Sequence, residues 1–271
     1  MALKVAGSRA ARQPHVICHF ICKQRACRPN KILMPLLTIV TGLLEGDTNI
    51  VETANSVIPQ LNGKASWLIK NSSPNPVSSL LSYREMRDVK VFCQQDSSLY
   101  SGLNQALNWV DGDFFLVLGA GDTLEPGAID FIHQTVLQNP SIDGFYFAVR
   151  LAKSGRILAP KPAEINVRMA CPHPGAILNT QKVRSLGGFD ERYQIASDYD
   201  LLCRYIKNHS SSGWSEQFII NYMGGGLSDQ RALEGFLEEE LIRLRIWSSP
   251  QIDVCRRGLH FLGWAETRLR D

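Results

Sequence analysis

The chain has no acidic residue in its first 33 positions and no long apolar run anywhere along its 271 residues. No uninterrupted apolar stretch approaches the ~20 residues that a helix needs to cross a bilayer. The segment HVICHFIC near the amino terminus is too short and too interrupted to be the core of a signal peptide. These absences argue against a membrane-spanning or secreted protein. We therefore expect a cytoplasmic protein, working in the cytosol or at the inner face of the membrane.

A paired cysteine framework is also missing. Seven cysteines is an odd number, and four of them lie singly among apolar neighbours, which is typical of a reducing compartment. The other three, Cys18, Cys22 and Cys27, lie near His15 and His19, a combination that suggests zinc ligands. No second ligand pair follows at the spacing of a zinc finger, so the pattern argues against zinc.

The chain lacks a strong charge of either sign, since its formal net charge is +3. Seven basic residues fall within residues 1–33, so the remainder is mildly acidic. A nucleic-acid-binding domain normally carries a basic face on its folded part, and we expect no nucleic-acid partner. The first strand-like pattern begins only at Leu36. Residues 1–33 are therefore interpreted as a basic extension that is disordered or not part of the fold.

Alternating strand and helix patterns follow this extension. The predicted strands are 36–40, 66–70, 89–93 and 113–118, and the predicted helices are 48–57, 77–86 and 99–110. Repeated strand–helix units indicate a mostly parallel sheet of Rossmann type with helices on both faces. Ligands of such sheets bind beyond the carboxyl ends of the strands. Asp122 follows the continuous apolar strand DFFLVL and lies at such an end.

The second half of the chain has a different pattern. It is predicted to contain a hairpin turning at Ser154–Gly155, a proline-rich stretch, helices at 180–186 and 197–207, a strand at 216–223 and a helix at 230–247. Extended segments and loops dominate this region, which indicates a smaller mixed part of the same domain. We expect one main domain at 34–228 and a C-terminal helical segment at 229–271 packed on it.

The last predicted helix carries an apolar stripe. The stripe consists of Leu233, Phe236, Leu237, Leu241 and Leu244. Such a stripe usually packs on the core of the domain, and this is the expectation here. Peripheral association with a membrane surface is the alternative, although the glutamates at 238–240 disfavour anionic lipid.

Three motifs together carry a resemblance to a known family. They are LGAGDTL at 118–124, GGFDERYQIASDYDLLCR at 187–204 and GGGLS at 224–228. In this order and at these separations, they resemble the family-two nucleotide-sugar glycosyltransferases of the GT-A fold, especially the bacterial polysaccharide-biosynthesis branch. The resemblance extends from about Leu36 to Ser228. It implies a metal-assisted, hexosyltransferase-like enzyme that transfers a sugar with inversion from a nucleotide-diphosphate sugar to a saccharide or lipid-linked saccharide.

The resemblance implies that Asp122 binds a divalent cation, Mg²⁺ or Mn²⁺, against the donor diphosphate. A hard cation stabilises the charge that builds on the leaving diphosphate, and it needs only one or two protein carboxylates. The residues at 119–121 are small where the family often has polar or acidic ones, and Gly121 is assigned to the donor because its backbone can approach the diphosphate. The alternative is a strand-end turn in which Asp122 caps the helix at Pro126.

Asp198 matches the family aspartate that removes the proton from the acceptor hydroxyl. Such general-base catalysis typically contributes about 10² to 10⁴ in rate. Asp200 lies roughly 200° further around a helix of 3.6 residues per turn, so it cannot face the same acceptor, and its spacing suits an ion pair with Arg204. The alternative for Asp198 is a helix N-cap beside Ser197.

The resemblance also assigns donor and acceptor contacts. Residues expected to contact the nucleotide sugar are Thr41, Asn71, Asp96, Tyr100 and Asn104. Asn71 stands where the family usually has Asp, and Ser101 replaces a second Asp. His173, between two prolines, lies where this branch tends to place a histidine near the acceptor or the diphosphate. The alternatives are an ordinary strand end for Thr41, an ordinary loop histidine for His173, and loop caps or helix-face polar groups for the others.

Two further functional classes are compatible with parts of the sequence. The substitutions at 71, 101 and 119–121 suggest a catalytically inactive relative that binds a sugar nucleotide or a partner protein. A nucleotidyltransferase would need a basic, glycine-rich phosphate loop after the first strand, and TGLLEGDTN has no basic residue. The sequence therefore favours the glycosyltransferase.

Overall fold

The protein is described by a computed structural model that covers residues 36–44, 49–74, 80, 82–208 and 211–247, together with the backbone of 4–5. The described residues leave out the candidate zinc cysteines, most of the basic extension, residues 77–79 and 81 of the helix expected at 77–86, and the segment 248–271. In the described part of that expected helix, Ser82–Glu85 form a 3₁₀ helix. Two residues of the extension, Lys4–Val5, pair with the last long strand of the sheet. The rest of the prediction for residues 1–33 stays a prediction.

The strands and helices follow the alternation expected from the sequence. The strands are β1 Lys4–Val5, β2 Leu37–Leu43, β3 Ala65–Asn71, β4 Val89–Cys93, β5 Phe114–Val117, β6 Thr123–Leu124, β7 Gly144–Leu151, β8 Ile157–Leu158, β9 Ala176–Asn179 and β10 Ser212–Tyr222. The α-helices are α1 Ile50–Val57, α2 Leu99–Leu107, α3 Ala128–Gln138, α4 Thr180–Ser185, α5 Ser197–Asn208, α6 Leu227–Gln230 and α7 Ala232–Trp247. Short 3₁₀ helices lie at Ile58–Gln60, Ser82–Glu85, Pro162–Glu164 and His173–Gly175.

One sheet contains these ten strands. Eight follow the order β1-β10-β7-β9-β5-β2-β3-β4, while β6 pairs with β10 and β8 pairs with β7. The neighbours β4, β3, β2 and β5 are parallel to one another, as are β7 and β10, whereas β9 is antiparallel to both of its neighbours. The expected α/β class with a mostly parallel sheet is therefore confirmed. The carboxyl ends of β2, β3, β4 and β5 share one edge, where the loops after them gather.

The core lies on both faces of the sheet, because alternate residues of each strand point to opposite sides. In β2, Ile39 packs in the apolar cluster with α1 and α3, whereas the next residue, Val40, packs in the cluster with α2, α5 and α7. Both residues are almost completely buried. Burial on both faces explains why the strands have continuous apolar sequences instead of alternating ones.

The docking face of α7 differs from the expectation. The leucines Leu233, Leu237, Leu241 and Leu244 are each between 44% and 59% exposed. The prediction that this stripe packs on the core was wrong for these four leucines, whereas Phe236, its fifth member, is half-buried. The buried residues of α7 are instead Gly235, Ile242, Arg243 and Ile246. Gly235 explains the choice of face, because a Cβ there would lie only 2.9 Å from Ile195 Cγ2, so the missing side chain lets the helix approach closely.

Several predicted boundaries shift by a few residues. The helix expected at Pro126 begins at Ala128, since Gly127 has a left-handed φ of 78°. The strand expected at 216–223 begins at Ser212, and the final helix is interrupted at Arg231. No helix within the described ranges is long and apolar enough to span a bilayer.

Candidate active site

A cavity of about 410 Å³ lies at the carboxyl edge of the parallel strands. Its walls come from the residues after β5, the residues Leu99, Tyr100 and Leu103 of α2, the loop at Pro172–Pro174, the start of α5 and the glycine segment after β10. The three sequence motifs at 118–124, 187–204 and 224–228 all contribute to it. Four of the predicted site residues line this cavity, namely Tyr100, Asp122, His173 and Asp198.

The turn that carries Asp122 is fixed by a threonine from α1. The hydroxyl of Thr53 donates to the carbonyl oxygen of Asp122 at 2.9 Å and accepts from the N–H of Gly121 at 2.9 Å. Gly121 has a φ of 94°, which a side chain would strain. Sequence reasoning missed Thr53, since a buried threonine on a helix gives no signal of this role.

The carboxylate of Asp122 is 5% exposed and points back to the protein backbone. Its Oδ1 accepts a hydrogen bond from Met223 N–H at 2.8 Å, rather than capping the helix that follows Pro126. A Cβ on Gly119 would lie 2.7 Å from Oδ2, so a side chain at this position would displace the carboxylate. Burial raises the pKa of Asp122 to about 6, and hydrogen bonds from Met223 and Gly119 offset part of the rise.

This carboxylate fits a divalent cation that is held mainly by other ligands. An ionised carboxylate has about four acceptor positions, and backbone groups use only part of them at Asp122. Within the ranges that the structure describes, no three His, Cys, Asp or Glu side chains cluster as a metal site would need. A cation at Asp122 would therefore depend on phosphate oxygens and water for most of its coordination, as Mg²⁺ commonly does.

Asp198 lies in the first turn of α5 and is partly open, with 24% of its side chain exposed. Its Oδ1 accepts from Tyr199 N–H at 2.8 Å and lies 3.3 Å from the Tyr100 hydroxyl. Its Oδ2 is 3.9 Å from Nδ1 of His173, which is too far for a hydrogen bond. One oxygen is thus held by the protein, and the other is available to a ligand.

Burial sets the protonation of both groups. It raises the pKa of Asp198 above its ordinary value, with His173 as the largest opposing influence. It lowers the pKa of His173, against the effect of Asp198. The imidazole is therefore neutral at pH 7, and Asp198 is a stronger base than a solvated carboxylate.

Asp200 faces away from the cavity, as the helical spacing predicts. It is fully buried and accepts from Arg204 at 2.7 Å, so the predicted ion pair is confirmed, although it lies in the interior instead of on the surface. Arg245 of α7 also contacts this carboxylate. The two aspartates of ASDYD therefore have separate surroundings.

Two predicted nucleotide contacts, Thr41 and Asn71, do not line the cavity. Thr41 is buried in β2 and accepts a hydrogen bond from Trp67 Nε1 at 3.0 Å. Asn71, at the end of β3, is 2% exposed and donates to the carbonyl of Ser73 at 3.1 Å. Their side chains form hydrogen bonds within the protein near the carboxyl ends of β2 and β3.

Asp96 and Asn104 also bond within the protein. Asp96 pairs with Lys70 at 2.5 Å, and the two side chains are 7% and 1% exposed. Asn104 donates to the carbonyl of Phe189 at 2.9 Å and accepts from its N–H at 2.8 Å, which fastens α2 to the glycine motif before α5. The cavity therefore brings together Asp122, Asp198 and His173. The four donor-side candidates Thr41, Asn71, Asp96 and Asn104 do not line it.

Comparisons with known proteins complete this description. The sequence matches no protein-family model and no curated protein. The structure is similar to that of Staphylococcus aureus TarS in complex with UDP-GlcNAc, with a TM-score of 0.61, 14% identity, and coverage of 78% of this chain and 67% of that one. The chain has the fold of a glycosyltransferase, the GT-A fold.

A second neighbour is the mannosyltransferase PcManGT from Pyrobaculum calidifontis in complex with GDP-Man and Mn²⁺. Its TM-score is 0.59, with 14% identity over 81% of this chain and 68% of that one. In another TarS structure the match spans only 40% of the TarS chain. Because the identities are this low, the likeness establishes the fold, and the activity has to be argued from the cavity.

Proposed function

We propose that the protein is an inverting glycosyltransferase that moves a sugar from a nucleotide-diphosphate sugar to a hydroxyl group, in surface polysaccharide or glycolipid synthesis. The observation that carries this proposal is that Asp122 and Asp198, far apart in the sequence, line one cavity at the carboxyl edge of a GT-A sheet. One is a buried acid at the strand end where such folds bind the diphosphate. The other is a partly open carboxylate with a raised pKa.

Asp198 supplies the base. Its Oδ2 takes the proton from the acceptor hydroxyl while the hydroxyl oxygen bonds to the anomeric carbon. The bond from that carbon to the diphosphate oxygen breaks, and the electron pair leaves with the nucleoside diphosphate. A single displacement of this kind inverts the configuration at the anomeric carbon. The contacts of Oδ1 with Tyr199 and Tyr100 orient the carboxylate for this role.

The donor diphosphate is placed beside Asp122, where Gly119 and Ala120 leave room for phosphate groups. Asp122 would hold Mg²⁺ or Mn²⁺, which when bound would neutralise the charge on the departing diphosphate. The roles of Thr41, Asn71, Asp96 and Asn104 toward the donor stay predictions, and Gly121 contributes backbone to this turn. The acceptor, a saccharide or lipid-linked saccharide, lies on the side of His173, in the cytoplasm or at the membrane face.

The test compares Asp198→Asn and Asp122→Asn with the wild type in transfer assays, using UDP-GlcNAc and GDP-mannose with Mg²⁺ or Mn²⁺ and a panel of saccharide acceptors. We expect D198N to lower kcat by about 10² to 10⁴ with donor affinity unchanged, because only the base is lost. D122N should weaken the metal-dependent binding of the donor. Asp130→Asn, the same change at an exposed partner of Lys64, is the control. Unchanged turnover in both active-site variants would remove the proposed roles.

A second candidate is a catalytically inactive relative that binds a sugar nucleotide or a partner protein. The bonding of Asn71, Asp96 and Asn104 inside the protein favours it, since side chains used in this way do not position a donor for transfer. Calorimetry separates the two functions. Donor binding without transfer or hydrolysis across the acceptor panel would support the binding protein.

A further inference from the structure

The loop directly before α5 is held by a side chain from the C-terminal helix. The carboxylate of Glu238 accepts hydrogen bonds from the backbone N–H groups of Gln194, Ile195 and Ala196, each at 2.8 Å. One oxygen serves the first of these residues, and the other serves the next two. Hydrogen bonds to an ionised carboxylate are roughly twice as strong as neutral ones. Three consecutive peptide units are therefore fixed by one side chain.

The same turn of α7 also fixes this loop sterically. Gly235, three residues before Glu238, brings the helix against the side chain of Ile195 with no room for a Cβ. Ile195 is 6% exposed, and together with Gln194 it forms part of the cavity wall. One turn of α7 thus fixes Ile195 in two ways. Gly235 packs against its side chain, and Glu238 accepts a hydrogen bond from its backbone N–H.

The loop in turn is bonded to the surroundings of Asp198. The hydroxyl of Tyr100 donates to the carbonyl of Ile195 at 2.6 Å, and its oxygen is 3.3 Å from Oδ1 of Asp198. The carbonyl of Ala196 accepts from Asp200 N–H at 3.0 Å in the first turn of α5. A movement of the loop therefore changes both the start of the helix that carries Asp198 and the tyrosine beside its carboxylate.

We propose that Glu238 is a positioning residue for Asp198, so that α7 takes part in arranging the active site. The inference rests on the proposed function of Asp198 as the base. Glu238 is not among the described residues that line the cavity, and it acts through the loop at 194–196. From the sequence, the glutamates at 238–240 indicate only a charge that disfavours anionic lipid.

The first experiment compares Glu238→Gln with Glu234→Gln. Glutamine replaces one acceptor oxygen by an NH₂ donor that faces backbone donors, so the loop loses part of its support. We expect kcat to fall about 10- to 100-fold with the KM for the donor unchanged, since small displacements of a catalytic group have effects of this size. Glu234 is exposed and pairs with Arg231, so E234Q should retain wild-type kinetics.

A double-mutant cycle separates positioning from general loss of structure. If Glu238 acts through Asp198, E238Q has no further effect on the residual rate once Asp198 is asparagine. Losses that multiply in the double variant E238Q/D198N would overturn the inference. They would mean that the two residues act independently.

Hydrogen exchange gives a readout that does not depend on turnover. The backbone amides of residues 194–196 should exchange at least about tenfold faster in E238Q than in the wild type or E234Q, because their acceptor is impaired. Wild-type exchange rates at these amides in E238Q would overturn the inference, whether or not any transfer is found. Absence of transfer by the wild-type protein on every donor and acceptor would instead contradict the proposed function.

Discussion

Asp122 is kept in surroundings that favour its neutral form. Its pKa of about 6 in the folded protein lies above the value of about 3.9 expected in the unfolded chain. A group with a raised folded pKa stabilises the fold fully below the unfolded pKa, and this contribution is lost as the pH rises through the folded pKa. At neutral pH the buried, ionised carboxylate therefore costs stability.

The Asp122→Asn variant should consequently be more stable than the wild type at pH 7.5 in the absence of metal. The expected gain is about 2–3 kcal/mol, because a tenfold change in a proton-binding constant corresponds to about 1.4 kcal/mol, and it should shrink as the pH is lowered toward about 4. Asparagine can still accept the hydrogen bond from Met223. Urea unfolding at about pH 5 and pH 7.5 measures the effect. Equal or lower stability of D122N at pH 7.5 would contradict the argument.

The buried pair of Asp96 and Lys70 leads to a second residue-scale prediction. The ammonium of Lys70 is 1% exposed and also donates to the carbonyl of Gln94 at 2.6 Å. Asp96→Asn should cost about 3–5 kcal/mol, because it leaves a buried charge without its partner. Asp88→Asn, next to the exposed Arg87, is the matched control and should change stability by less than about 0.5 kcal/mol. Equal unfolding free energies of the two variants would contradict this prediction.

At this scale, the sequence predicts residues whose position follows from local patterns. Asp122 could be placed because it follows a recognisable strand end, and Asp198 because ASDYDLLCR resembles the family motif. Glu238 and Thr53 could not, since their partners lie on other elements and their own neighbourhoods look like an ordinary helix surface or interior. Lys70 was likewise missed as the partner of Asp96, because it appears in the sequence as one residue of a strand.

At the scale of elements, α7 shows why a hydrophobic stripe does not by itself identify the buried face of a helix. Apolar residues lie on more than one side of α7. The side with Gly235 packs on the domain, because the missing side chain lets the helix approach Ile195 closely. The strands were predicted more accurately. Continuous apolar runs indicate burial on both faces, and the two core clusters confirm this.

This docking face can be tested with one pair of substitutions. Ile242 is completely buried, whereas its neighbour Leu241 is 59% exposed. Ile242→Ala should lower the free energy of unfolding by about 2–5 kcal/mol. Leu241→Ala should change it by less than about 0.5 kcal/mol. A larger loss from L241A than from I242A, measured by urea unfolding, would mean that the helix docks through the leucine stripe.

At the scale of the whole molecule, the cavity lies between the four parallel strands and the region built around β7, β9 and β10. A donor bound there would contact residues from both regions and should therefore stabilise their packing. The sequence predicted the parallel half from its alternating pattern. It predicted the other half only as extended segments, because pairing of β9 between β5 and β7 is a long-range arrangement that local patterns do not specify.

Donor binding should therefore raise the melting temperature of the intact chain. At a ligand concentration about 100 times Kd the gain is about 2.7 kcal/mol, or roughly 5–10 °C for a chain of this size. A thermal-shift screen of UDP-GlcNAc, GDP-mannose and the free nucleoside diphosphates, with and without Mn²⁺, measures it. The metal-dependent part of the shift should disappear in D122N. No shift with any of these nucleotides would contradict a donor site for them.

The pairing of Lys4–Val5 with Gly213–Trp214 has a practical consequence. On this side of β10, β6 pairs with Ile220–Asn221, and Lys4–Val5 pair with Gly213–Trp214 near the other end. A variant that begins at Met34 would expose the backbone N–H and C=O groups of Gly213–Trp214. A strand from another molecule could then pair with them. We therefore expect the truncated variant to aggregate more than the full chain. A lower activity of that variant would then reflect loss of monomeric protein as well as any change at the cavity.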